Sequence, residues 1–132
     1  WCLCRNGMRD KRWYIMNILI VMNDAPYGDD RPYNALRTAM ALQKEHDNVA
    51  VKVCWFGDAI FCAKSEQKTP DGQYNIERMI KSILSHGAEV KVCTSCATVR
   101  GISENDLIPN VYLSNMKEFA QWVLESDKVL TF

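Results

Sequence analysis

The sequence predicts an α/β fold in which a parallel sheet is covered by helices on both faces. Three observations carry this. Short apolar runs rich in β-branched residues alternate along the chain with stretches of helical period. The run Val49–Phe56 is apolar at nearly every position rather than every second one, the mark of a strand buried on both sides. With 132 residues, of which 48% are hydrophobic and 24% charged, the chain suits one domain with one core.

The elements follow in order. Trp1 to Ile15 shows no helical or strand period and holds Cys2, Cys4, two Trp and a cluster of Arg and Lys. Met16 reads as the natural start, so residues 1–15 are expected to be a non-native or upstream extension and 16–132 a single domain. Asn17–Met22 is the first strand, followed by a turn-rich loop, Asn23 to Asp30, containing Pro26 and Gly28. Asp29 or Asp30 can cap the next helix, Pro32 suits its first turn, and Tyr33, Leu36 and Met40 recur at helical spacing. Val49–Phe56 is the second strand, and Gly57-Asp58 opens a short helical segment through Ala63.

Lys64 to Gln73, polar and bearing Pro70-Asp71-Gly72, predicts a surface loop. Asn75 caps a helix whose Ile76, Met79, Ile80, Ile83 and Leu84 make one apolar stripe, and Gly87 stands where a C-terminal glycine belongs. Glu89–Cys93 is the third strand and Val111–Leu113 a short fourth. Asn115 with Glu118 forms a capping box for the last helix, whose Met116, Phe119, Ala120 and Val123 are expected to face the core. Lys128–Phe132 closes the sheet.

Composition excludes several function classes. Sixteen Lys and Arg balance 16 Asp and Glu, whereas nucleic-acid binders gain most of their non-specific affinity from a basic excess; no direct nucleic-acid binding is expected. The longest unbroken apolar run, Ile18 to Met22, is too short to cross a bilayer, so no membrane association is expected. Six cysteines would fit a secreted disulfide scaffold, but a chain with this much core material needs no staples. Reduced thiols and a cytoplasmic location are expected, with Cys54 as a small hydrophobe inside its strand.

In parallel sheets the ligand crevice lies beyond the carboxyl ends of the strands. Three segments meet there: Asn23–Asp30, Gly57-Asp58 and Cys93–Gly101. The third is the richest, because Cys93 ends a strand where a helical turn begins. Unpaired backbone amides there favour thiolate over thiol, and Arg100 nearby can add positive charge. Thiolate is the nucleophile of persulfide transfer and of disulfide exchange. Cys96 completes a C-x-x-C motif with Cys93-Thr94-Ser95, a spacing shared by redox, metal and structural sites.

Zinc would need two further ligands. Cys2 and Cys4 lie in the segment read as an extension, and His46 and His86 sit near helix C-termini, so no metal or cofactor is expected. The loop after the first strand has one glycine, no Lys-Ser/Thr and three aspartates, and so makes no phosphate cradle. Tyr27, Trp55 and Tyr74, aromatics beside strand ends, finish a core or an interface more often than they line a pocket.

Several spaced motifs together give a resemblance. Ala25-Pro26-Tyr27-Gly28, Gln73-Tyr74-Asn75-Ile76, Val90-Lys91-Val92-Cys93 with Arg100-Gly101-Ile102-Ser103, and the ending Ala120-Gln121-Trp122 with Asp127 to Phe132 resemble the DsrE/DsrF-like family. Within that family they are most similar to the small YchN-type members. The resemblance implies a three-layer α/β/α sandwich with a five-stranded parallel sheet, and a homohexamer with Tyr27, Trp55 and Tyr74 as interface candidates. In the sulfur-relay members TusD and DsrE, one cysteine accepts persulfide sulfur and passes it on, and it precedes an Arg-Gly pair by the spacing that Cys93 keeps from Arg100-Gly101. The resemblance therefore implies Cys93 as sulfur carrier between donor and acceptor proteins, with Pro26, Tyr27, Gly28, Asp58, Tyr74, Arg100 and Gly101 shaping its pocket. Cys96 has no counterpart in TusD. A thiol-disulfide redox or sensor role for Cys93 with Cys96 stays open, as does an oligomeric ligand-binding protein without catalysis.

Overall fold

The computed structural model describes residues 14–132. The expected extension, residues 1–15, lies outside the described residues except for Tyr14 and Ile15, and so do Cys2 and Cys4. Five strands form one parallel sheet: β1 (Met16–Met22), β2 (Val49–Trp55), β3 (Glu89–Cys93), β4 (Val111–Ser114) and β5 (Lys128–Thr131). Their order is β4-β3-β2-β1-β5, with Met22 opposite Trp55, Trp55 opposite Val92, and Cys93 opposite Ser114. Each expected strand is present, with ends moved by at most one residue. Phe132, just past β5, still donates its N–H to the Val21 carbonyl.

Four α-helices connect the strands: α1 (Arg31–Glu45), α2 (Ile76–Ser85), α3 (Thr94–Val99) and α4 (Met116–Glu125). The segment Gly57–Ala63 is a 3-10 helix. Asn75 caps α2 by accepting the Arg78 N–H, and Asn115 and Glu118 close the capping box of α4. Asp30 occupies the N-cap of α1 without a side-chain cap; Asp29 instead accepts the Arg31 N–H at 2.7 Å.

The handedness of the crossovers decides where these helices lie. The connections β1 to β2, β2 to β3 and β3 to β4 all step in one direction across the sheet, so right-handed crossovers put α1, α2 and α3 on one face. Only β4 to β5 steps back, past three strands, and it puts α4 on the other face. The core is accordingly lopsided. The first face buries Ile18, Ile20, Val51, Val53, Val90 and Val92 against Leu36, Ile76, Ile80 and Ile83. The second buries only Leu19, Val21 and Cys54 beneath Trp122, with Phe56 and Phe119 at its rim.

Two expectations about packing need correction, one in α4 and one at Trp55. In α4, Met116 (61% exposed), Val123 and Ala120 do not face the core; Trp122 (6%) does, with Phe119 half-buried beside it. One helix above a narrow apolar strip needs one large ring, not a full stripe. In α1, Leu36 is buried and Tyr33 and Met40 pack half-buried against the core, as their helical spacing implies; Ala35 and Ala39, also buried, let the helix approach the sheet. Trp55 is no interface candidate: it is 0% exposed and donates its indole N–H to the Met22 sulfur.

Charge completes what apolar packing leaves thin on the second face. Lys52 and Lys91 approach the Trp122 ring at 5.3 and 4.8 Å, and they pair with Glu125 and Glu118 of α4 at 3.2 and 3.3 Å. Trp122→Ala should therefore lower stability by about 3–5 kcal/mol in urea unfolding, the usual cost of deleting a buried aromatic. A loss below about 1 kcal/mol would show that α4 is not anchored through this ring.

Candidate functional site

Neighbouring strands whose outgoing connections part to opposite faces leave a crevice between their carboxyl ends. Here β3 leads to α3 on the first face and β4 leads to α4 on the second. The crevice lies between them, and its two walls are the register partners Cys93 and Ser114. Thr94 spans it by donating its hydroxyl to the Ser114 carbonyl at 2.8 Å, and Ser114 donates its own to Glu118 at 2.9 Å.

Cys93 is half-buried and its sulfur is ringed by donors. The Cys96 N–H points at it from 3.4 Å, and the Ser95 hydroxyl lies 3.3 Å away. Burial would raise this thiol's pKa. Hydrogen bonds from the Cys96 thiol, the Ser95 hydroxyl and the backbone N–H groups of both residues outweigh it and hold the pKa below the ordinary thiol value. Cys96 goes the other way: burial and its hydrogen bond to Cys93 raise its pKa, against the Gly57 N–H and the Arg100 charge. Of the two, Cys93 is the one whose surroundings favour the thiolate, and Cys96 the one whose surroundings favour the thiol. Cys54 and Cys62 are wholly buried, and burial pushes both up to about 12.

Gly57 joins the loops at the ends of β1, β2 and β3. Its φ of +56° suits glycine, and a side chain there would contact the Asn23 carbonyl and the Arg100 guanidinium. Arg100 pairs with Asp58 at 2.9 Å and donates to the Cys96 carbonyl at 3.0 Å, so its field falls on Cys96. Gly101, at φ +71°, follows α3 and is exposed.

The structure thus gathers Cys93, Cys96, Asp58, Arg100 and Gly101 in one cluster. Tyr27 and Tyr74 belong to another, at the start of α2. There the Tyr27 hydroxyl donates to Gln67 and accepts the Ile76 N–H, and Tyr74 stacks on Tyr33 with ring centroids 4.2 Å apart. Pro26 and Gly28 flank Tyr27 in its turn, and a side chain added at Gly28 would meet open space. Sequence reasoning named the segments that hold Gly57 and Ser95 but gave neither residue a role beside the thiols. It missed Ser114, which comes into play only through strand register.

Among the described residues, no group of three or more His, Cys, Asp or Glu side chains could hold a metal ion. A cavity of about 630 Å³ lies between α2 and the β3–β4 edge, lined by Leu84, Val90, Pro109 and Tyr112. It contains neither thiol of the crevice.

Fold and site together define a small parallel α/β sandwich with a half-buried cysteine at the switch point of its sheet, and comparison with known proteins gives the family. Residues 16–132 match the DsrE/DsrF-like family, to which the chain belongs. Protein YchN of Escherichia coli is 39% identical over 118 residues, covering 89% of this chain and 100% of the relative. The crystal structure of that protein superposes with a TM-score of 0.84 over the same shares of both chains. A structure from Methanobacterium thermoautotrophicum, 11% identical and covering 89% of this chain and 99% of its own, has a TM-score of 0.73 and shares the fold. Sulfurtransferase TusD of Salmonella newport is 25% identical over 129 residues, covering 89% of this chain and all of the relative. No helix among the described residues is long and apolar enough to cross a membrane.

Proposed function

We propose that the protein is a sulfur carrier in which the Cys93 thiolate takes a sulfur atom from a persulfide donor and holds it as Cys93-S-SH. The observation that carries this reading is a half-buried Cys93 whose sulfur accepts the Cys96 N–H at 3.4 Å and meets the Ser95 hydroxyl at 3.3 Å, while Cys54 and Cys62 are buried. A thiolate attacks the outer sulfur of a donor persulfide, the donor leaves as its own thiolate, and the sulfur moves without net oxidation. The same donors then stabilise the sulfur that must leave when an acceptor takes the cargo. Likeness to the TusD sulfurtransferase supports the reading from outside the chain.

The test uses a cysteine desulfurase with cysteine as sulfur source and intact mass spectrometry as readout. In the Cys96→Ser background, where Cys93 is the one thiol of the crevice, the chain should gain the mass of one sulfur. Cys93→Ser should gain none. Equal gain in both variants, or none in either, would contradict the carrier role.

Assembly belongs to the same proposal. Tyr112, Met116, Leu124 and Val129 leave apolar surface on the sheet's thinly covered second face, and Tyr27 and Tyr74 are exposed near α2. A homohexamer would cover such surface, as the family resemblance implies. Light scattering at micromolar concentration should return the mass of six chains, and a monomer would remove this part of the reading.

A further inference from the structure

A persulfide on Cys93 has two sulfur atoms that a nucleophile can attack, and they lead to different products. Attack on the outer sulfur transfers it to the attacker. Attack on the inner sulfur, Cys93 Sγ, releases the outer one as sulfide. Cys96 is placed for the second route. Cys96 lies three residues on, in the first turn of the helix that Cys93 caps, and the two thiols interact there. The Cys96 backbone N–H converges on Cys93 Sγ at 3.4 Å.

We propose that Cys96 resolves the Cys93 persulfide, attacking Cys93 Sγ and expelling the outer sulfur as hydrosulfide to leave a Cys93–Cys96 disulfide. This rests on the carrier reading above and adds a second fate to the cargo. The balance closes without an outside oxidant. In Cys93-S-S⁻ plus Cys96-SH, the Cys96 proton passes to the outer sulfur, which leaves as HS⁻. One S–S bond breaks and one forms; the sulfane sulfur is reduced and the two cysteine sulfurs are oxidised. A dithiol reductant, by class, returns the disulfide to its starting state.

The surroundings of Cys96 favour the step. While Cys93 is a bare thiolate, its hydrogen bond and its charge both keep Cys96 protonated. Loading moves that charge one atom outward. The Gly57 N–H and the Arg100 guanidinium, held against Asp58, then remain to stabilise negative charge developing on Cys96. Discharge is therefore tied to loading, and the unloaded dithiol stays reduced until sulfur arrives.

The test loads the full chain with inorganic polysulfide, removes the excess by desalting, and follows intact mass and free sulfide over time. Wild type should end lighter by the two thiol hydrogens, release one sulfide per chain, and show a peptide linking Cys93 to Cys96. Cys96→Ser and Cys96→Ala should keep the added sulfur at least about tenfold longer, because an intramolecular attacker has been removed. Wild type that keeps its sulfur as long as these variants, or loses it without the 93–96 link, overturns the inference and leaves the carrier reading standing. If no form of the chain ever takes sulfur on Cys93, both fall. Where a variant fails to fold, the wild-type peptide map alone decides.

Discussion

The single backward step from β4 to β5 organises this molecule. Three crossovers in one direction stack α1, α2 and α3 on one face and build the thick core there. The return passes over the sheet on its other face and can cover it with only one helix. The same reversal parts the connections of β3 and β4, and so opens a crevice at Cys93 and Ser114. Core asymmetry, exposed second face and site position are three consequences of one topological constraint.

Within that crevice the contest is between burial and hydrogen bonding. Burial raises the pKa of every cysteine here whose shift is resolved. Only Cys93, the N-cap of α3, has enough N–H and thiol or hydroxyl donors to reverse the balance. Cys62 has one backbone hydrogen bond against near-complete burial and stays neutral. Cys54, on the second face near Lys91, gains too little from that charge to escape. Local geometry thus separates the four described thiols, which share one intrinsic chemistry: the pKa of Cys93 is lowered and those of Cys54, Cys62 and Cys96 are raised.

Much of this was legible in the sequence because local signals and tertiary outcome agree. Asn75 and the Ile76, Ile80 and Ile83 stripe specify both the start and the buried face of α2. Glu89–Cys93 could be placed because charged and apolar residues alternate up to a residue suited to begin a helical turn. The last helix was harder to read. Its apolar residues are spread around the axis, and only the narrowness of the Leu19, Val21 and Cys54 strip selects Trp122 over Met116 or Val123. Strand register, which brings Ser114 opposite Cys93, and the path that puts Gly57 between Asn23 and Arg100 are long-range facts with no local signature. The separation of Tyr27 and Tyr74 from the thiols is of the same kind.

The central claim is that the crevice makes Cys93 the thiolate of this protein. Ultraviolet thiolate absorbance, recorded across pH for wild type and for Cys93→Ser, tests it directly. Because Cys93→Ser also lowers the pKa of Cys96, the difference is read at its first rise, whose midpoint should lie below about 8.5, the value of an unperturbed cysteine. A midpoint at or above that value would show that burial wins at Cys93, and the account of the site would be wrong.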